Sequence, residues 1–369
     1  MTPAGRDTGE GWRNLARMAM SLVIGIAGAV FGQLVGLPLP YMLGPLLFAA
    51  IAALAGAPML IFPYGREFGQ VIVGLGIGLR FTPAVALATA KLLPAMALST
   101  ILMMLTTIGA AFLMQRLAGI DRRTAFFSTA AAGIIEMAVI ATQKGANSSI
   151  VAVTHLIRVT LIVATVPFLV TLFGSQGDIQ TTDIAFGAEA LPLIGLLLAG
   201  GLLSYLVAPL RIPNTWLLVP VIIGAVVAGF GFGPFGIPKL LLTAAQVVIG
   251  TWVGSRFRRD VVGRLPRVTV SAAIVTAYLI ASALILAWLL TLLTDLSFTT
   301  AVLAVAPAGV TEMVLTATAM HLDAATVTAF QIMRIAVVMT TIQFTFAAYE
   351  ALSRRIKGDP ATHNDEGTA

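Results

Sequence analysis

The chain has 369 residues, 58% of them hydrophobic and only 10% charged, with a formal net charge of +6 and a mean hydropathy of +0.97. Soluble domains carry about 25% charged residues, so a water-facing globular surface is excluded and lipid is the natural solvent. The absence of cysteine excludes disulfides, thiolate catalysis and Cys-based metal sites, and the basic residues cluster beside apolar runs, as topology signals rather than nucleic-acid contacts do.

In chain order, apolar runs fall near 17–36, 41–58, 66–80, 92–116, 126–143 and 150–173, then near 188–209, 216–233, 242–256, 268–294, 300–318 and 326–348. The first, preceded by Arg6, Arg13 and Arg17, has the look of a signal peptide. A matching run opens the second half without any such role, so the first is expected to be a permanent, uncleaved helix.

The two sets of runs are copies of one unit. Gly69-Gln-Val-Ile-Val-Gly-Leu-Gly-Ile-Gly-Leu-Arg-Phe81 aligns with Ala245-Gln-Val-Val-Ile-Gly-Thr-Trp-Val-Gly-Ser-Arg-Phe257 at an offset of 176, as from Arg80 to Arg256. The same offset carries Ala-Gly-Ile-Ile-Glu-Met at 132–137 onto Ala-Gly-Val-Thr-Glu-Met at 308–313, and His155 and Arg158 onto Gln331 and Arg334. Pro38 and Pro45 match Pro213 and Pro220 at an offset of 175. Greasy helices do not hold a gapless register with matched charges by chance.

Equivalent loops differ in basic charge, and the richer copy alternates along the chain. Arg13 and Arg17 face Asp178 and Asp183; Arg80 and Lys91 face Arg256, Arg258, Arg259, Arg264 and Arg267; Arg116, Arg122 and Arg123 face Asp295. By the positive-inside rule, equivalent loops lie on opposite sides, so each copy crosses an odd number of times. Six runs then leave one that does not cross: 126–143 and its partner 300–318, short and interrupted by Gly133 and by Pro307 and Gly309. The expected fold is an all-α polytopic membrane protein of two inverted-topology repeats, each with about five crossing helices plus one broken or re-entrant segment; the glycine-rich 66–80 run is a second candidate for a break. The expected organisation is a cytoplasmic tail over 1–16, repeat one over 17–174, an external linker over 175–187, repeat two over 188–350 and a cytoplasmic tail over 351–369.

Glu136 and Glu312 lie inside apolar sequence, three residues after Gly133 and Gly309. A charge at the centre of a bilayer costs about 2.5–3.5 kcal/mol even on insertion scales, so each needs a cation, water or a proton. Arg158 and Arg334 in the following helices are the expected partners, with Arg80 and Arg256 as alternatives. One reading makes these pairs packing devices; the other places the two glutamates where broken helices meet, with Gly133 and Gly309 opening the backbone, the glutamates carrying a proton or cation, and the arginines countering charge or holding an acidic solute. Gln70 and Gln246 are candidate hydrogen-bonding groups on the duplicated glycine-rich segments. The repeated Gly74–Gly78 and Gly250–Gly254 spacing reads as close helix packing, and His155, with Gln331 as counterpart, as a packing residue. Asn147, His321 and Asp323 fall in the turns after the breaks, as a gate or a solvated loop.

No His-x-x-x-His or Glu-x-x-His spacing supplies a metal ligand set, and no Gly-Lys-Ser/Thr loop cradles a nucleotide. No metal, no cofactor and no enzymatic activity are expected.

At the paired Ala-Gly-x-x-Glu-Met and Gly-Leu-Arg-Phe/Gly-Ser-Arg-Phe motifs, the chain resembles the AbrB-like membrane protein family, over about residues 17–350. Its members are named for regulation of AidB expression and often labelled ammonia monooxygenases. The resemblance implies a multi-pass bacterial inner-membrane protein, related to the cation–proton antiporter and anion transporter superfamily, with both termini cytoplasmic. The residues themselves support neither a monooxygenase nor a DNA-binding factor. The expected function is secondary transport of a small polar or anionic solute, coupled to a proton or cation; the alternative is a membrane regulator acting indirectly by sensing or transporting a metabolite. Expected partners are the lipid bilayer and a small solute or ion, without direct nucleic acid, and a homodimer is a candidate assembly.

Overall fold

Glycine sets the first contact of the chain. Helix α1 (Thr8–Leu34) runs antiparallel to α2 (Pro40–Leu54), with Gly28 against the Gly44 backbone and Gly32 against Pro40, an approach no larger residue permits. The computed structural model describes residues 8–173, 190–210, 212–232, 236–257 and 265–357. The expected linker, both outer tail ends, and Arg258, Arg259 and Arg264 lie outside the described residues. The first copy continues with α3 (Gly65–Gly78), α4 (Pro83–Lys91), α5 (Leu93–Ala118), α6 (Arg122–Thr129), α7 (Ile134–Gln143) and α8 (Ser148–Phe173). The second contains α9 (Ala190–Val207), α10 (Thr215–Gly229), α11 (Lys239–Ser255), α12 (Pro266–Leu293), α13 (Phe298–Val305), α14 (Val310–Ala319) and α15 (Ala324–Lys357). No strand occurs among the described residues.

The helix boundaries repeat with the sequence register. Helices α6 and α13 begin and end 176 residues apart, as do α7 and α14. Leu39 and Asn214, offset by 175, are left-handed residues (φ 53° and 55°) that start α2 and α10. Gly145 and His321, offset by 176, are both left-handed in the turn after the break (φ 70° and 57°). Asp121 caps α6 through Thr124 N, and Ser297 caps α13 through Thr300 N. Each cap satisfies a helix-terminal N–H that would otherwise be an orphan.

The copies interlock by exchange. Helix α3 packs on α10 and α11 on α2. Gly74 and Gly78 bring α3 against Leu217 O and Val221 O, while Gly250 and Gly254 bring α11 against Met42 O and Leu46 O. Close packing is thus what the Gly-x-x-x-Gly spacing serves. The equivalent helices α3 and α11 also touch, Gly69 against Ala245 and Ile249 and Gly76 against Ile237, so these two helices run in opposite directions. Helix α5 meets α12 in the same antiparallel sense, Gly109 against Tyr278 and Gly119 against Arg267.

Among the described residues, six helices are long and apolar enough to cross a membrane: α1, α5, α8, α9, α12 and α15. Helices α2, α10 and α11 are apolar but only 15 to 17 residues long, below the roughly 20 that span a hydrocarbon core upright. The 66–80 run holds a continuous helix; the interruption comes after it, where α4 turns away from α3 by 91°. Helix α4 starts at Thr82-Pro83, whose threonine accepts from Val85 N, a start signal legible in sequence. Helix α9 turns Leu191, Leu198, Leu202 and Leu206 outward, each more than 60% exposed, a surface suited to lipid and not to water.

Candidate functional site at the two interrupted helices

Helix α6 stops at Thr129 and α7 starts at Ile134; α13 stops at Val305 and α14 starts at Val310. Between the halves, Ala130 and Ala306 leave the helical region (ψ 132° and 128°). A helix ended inside apolar surroundings strands its last carbonyls, which need donors. Here the donors come from the next long helix. Arg158 Nη1 donates to Thr129 O (3.0 Å) and Ala130 O (2.8 Å), and its Nη2 to Ala132 O (3.3 Å). In the second copy Arg334 Nη1 donates to Ala306 O (2.6 Å) and Nη2 to Ala308 O (2.9 Å).

One turn earlier on the same helices, His155 Nε2 donates to Phe127 O (2.8 Å), leaving Nδ1 to accept from Arg158 Nη2 (3.1 Å). Gln331 Nε2 donates to Leu303 O (2.8 Å), the carbonyl equivalent to Phe127 O. Histidine and glutamine are therefore interchangeable donors at one carbonyl. All four side chains are buried, and Arg158 lies about 15 Å along α8 from its start, at 1.5 Å per residue.

The other half of each break carries the opposite charge. Gly133 and Gly309 are the residues preceding α7 and α14, and Glu136 and Glu312 sit in the first turns. Each carboxylate folds back over its glycine, so that a Cβ on Gly133 would collide with Glu136 Oε2 and one on Gly309 with Glu312 Oε2. Both glycines have ordinary extended dihedrals (φ −68° and −69°). They make room for a carboxylate and do not relieve the backbone, contrary to the expectation that they open it. The positive end of a helix stabilises an adjacent anion, so the half-helix N-termini are the glutamates' compensating groups.

The expected glutamate–arginine pairs do not form. Neither Glu136 nor Glu312 makes an ion pair with Arg158 or Arg334; the ion pairs among the described residues join Glu350 to Arg123 and Arg354. The guanidinium Nη groups go to carbonyls, while among the described residues the Nε of each arginine is buried without a hydrogen-bond partner. The fold does bring Arg158 within Coulombic reach of Arg334, so the two breaks approach one another through their arginines.

Gln70 Nε2 donates to Thr311 Oγ1 (3.0 Å) and ties α3 to α14. The position equivalent to Thr311 is Ile135, a residue type without a hydroxyl. Asn147 and Asp323 are helix caps, Asn147 Oδ1 for Ser149 N and Ile150 N, Asp323 Oδ1 for Thr326 N. The copies differ in exposure: Val139 on α7 is 51% exposed, while its equivalent Leu315 on α14 is 1% exposed. Glu312 is buried and Glu136 half-buried.

Two residues escaped the sequence reading. Arg66 lies within Coulombic reach of Glu312 and packs over the Trp252 ring, 4.3 Å from its centroid. Position 242, its counterpart, is leucine, so a search for duplicated residues passes over it. No group of three metal-ligating side chains assembles among the described residues.

Residues 41–350 match the family described as "Transition state regulatory protein AbrB". The chain belongs to this family. A Bacillus subtilis (strain 168) protein named "Uncharacterized protein YhjN" is 26% identical over 355 residues, covering 89% of this chain and 92% of its own. The Escherichia coli (strain K12) protein named "Putative regulator AbrB" is 25% identical over 333 residues, covering 89% of this chain and 94% of its own. The AbrB match spans both interrupted helices and both glycine-rich segments.

Proposed function

We propose that this protein is a secondary transporter of the bacterial inner membrane, moving a small polar or anionic solute coupled to a proton or cation. The observation that carries the reading is the pair of buried breaks in which a glutamate sits on the N-terminus of one half-helix and an arginine on the C-terminal carbonyls of the other. Ionisable groups inside membrane segments are costly and mark function by default, and discontinuous helices with charged ligands at their ends are a recurrent construction of secondary transporters. In this reading Glu136 and Glu312 carry the coupling ion, and Arg158 and Arg334 hold the breaks open.

The antiparallel course of α3 against α11, and of α5 against α12, supports an inverted arrangement of the copies across the bilayer. With the basic clusters inside, both termini are cytoplasmic. The relation to the cation–proton antiporter and anion transporter superfamily that the AbrB-like resemblance implies fits this arrangement.

The test is solute-driven proton or cation flux in proteoliposomes, compared with Glu136→Gln, Glu312→Gln and their combination. Flux should fall in each and vanish in the double variant; unchanged flux in the double variant removes the glutamates from the mechanism. Single cysteines at positions 120 and 295 of this cysteine-free chain should label from opposite faces. The regulator reading is favoured by the names of the family and of the E. coli relative alone. It would be preferred if flux-dead variants restored the transcript pattern of a deletion strain.

A further inference from the structure

The ends of α3 and α11 that meet around Trp252 bring two guanidiniums to one indole ring. The Arg66 guanidinium lies 4.3 Å, and that of Arg256 4.6 Å, from the same indole centroid. The two like charges are within Coulombic reach of one another. Neither Glu67, next in sequence to Arg66, nor Glu312, within its reach, forms an ion pair with either guanidinium. An indole face attracts each cation but neutralises neither.

The other end of the same helix pair is built differently. There Arg80, the counterpart of Arg256, stands within Coulombic reach of the carboxylate of Asp323. The counterpart of Asp323 is Asn147, a neutral amide whose oxygen caps α8. The counterpart of Arg66 is Leu242. The Trp252 end thus has a guanidinium that its counterpart lacks, next to an acid, Glu67, whose counterpart is Thr243. Internal symmetry supplies the control: nothing in the shared architecture requires the second cation.

We infer that Arg66, Arg256 and Trp252 form a recognition site for a small oxyanion, a carboxylate or phosphate group, beside Glu312. A guanidinium held over an indole keeps its N–H donors at its edge, where two of them match the oxygens of a carboxylate or phosphate. The indole supplies an apolar wall for the carbon part of the ligand. Glu312 competes with the ligand for the field of Arg66, so neutralising it strengthens anion binding. The site deepens the transporter reading by naming its substrate class, and binding needs no gradient, so the two claims stand or fall separately.

The experiment uses the full chain in nanodiscs of zwitterionic lipid, with Trp12, Trp216 and Trp288 changed to Phe so that Trp252 alone reports. Titration with inorganic phosphate or succinate should give a saturable change in Trp252 emission. Arg66→Gln and Arg256→Gln should each weaken it by about tenfold or more, as loss of a charge-assisted bond does, Arg116→Gln should leave it unaltered, and Glu312→Gln should tighten it. In a second arm, phosphatidylglycerol is added to the disc; a response confined to that arm assigns the oxyanion to a lipid headgroup, and one in zwitterionic discs to a free solute. A parallel measurement on the parent protein needs no arginine variant: phosphate should slow phenylglyoxal modification of Arg66 and Arg256, read by mass spectrometry. No saturable response in either arm, responses unchanged in both arginine variants, or modification unaffected by phosphate overturns the site.

Discussion

The carboxylate of Glu312 occupies the volume in which any side chain on Gly309 would begin. Glycine and glutamate thus form one unit at the start of α14, repeated by Gly133 and Glu136 at the start of α7. Gly309→Ala should expel the carboxylate from the helix N-terminus and lose an interaction of about 1–2 kcal/mol, seen as a lower melting temperature in detergent. In a Glu312→Ala background the same substitution should cost little. An undiminished cost there would show that the glycine serves the backbone after all.

The carbonyl braces predict an unusual tolerance. His155 and Gln331 donate to equivalent carbonyls, so Gln331→His should be nearly neutral to thermal stability. Gln331→Leu, which orphans Leu303 O, should cost about 1–3 kcal/mol. Equal damage from both would remove the equivalence.

Close approach of backbones makes the glycine seams intolerant of a single methyl group. A Cβ on Gly250 would strike Met42 O and one on Gly254 would strike Leu46 O, whereas one on Gly195 meets nothing within 4 Å. Gly250→Ala and Gly254→Ala should each destabilise by about 1–3 kcal/mol through overpacking, and Gly195→Ala should not. Comparable melting temperatures for all three would contradict the seams.

The two copies of the interrupted helix should differ in accessibility. Thr142 on α7 is exposed and its equivalent Thr318 on α14 is buried. In this cysteine-free chain, Thr142→Cys should react readily with a small thiol reagent and Thr318→Cys slowly. Similar rates would mean that the copies exchange environments faster than the labelling.

Much of the architecture was legible because it is written locally. Apolar runs mark the long helices; Gly133, Pro307 and Gly309 mark the breaks; and a constant offset pairs Arg158 with Arg334. Helix α4 went unread although Thr82-Pro83 announces it, because a nine-residue helix adds no apolar run of its own. The pairing of Glu136 and Glu312 with arginine was misread because side-chain charges are visible in sequence and backbone charges are not. Arg158 and Arg334 go to carbonyls and the glutamates to helix N-termini, with Arg66 rather than either expected arginine within Coulombic reach of Glu312; backbone groups are carried by every residue and no letter distinguishes them.

The amino-acid sequence alone determined that this protein is a duplicated set of apolar helices with a glutamate and an arginine at each break, since periodicity, hydropathy and register are properties of the chain. Only the tertiary structure decided where those charges are compensated, which glycines touch which backbones, and that Arg66 of one copy shares the Trp252 ring with Arg256 of the other. Those relations join residues as far apart in the chain as Met42 and Gly250, across copies that diverged at the contact itself. No local rule and no repeat could have carried them, because they arise where two helices cross and two fields overlap.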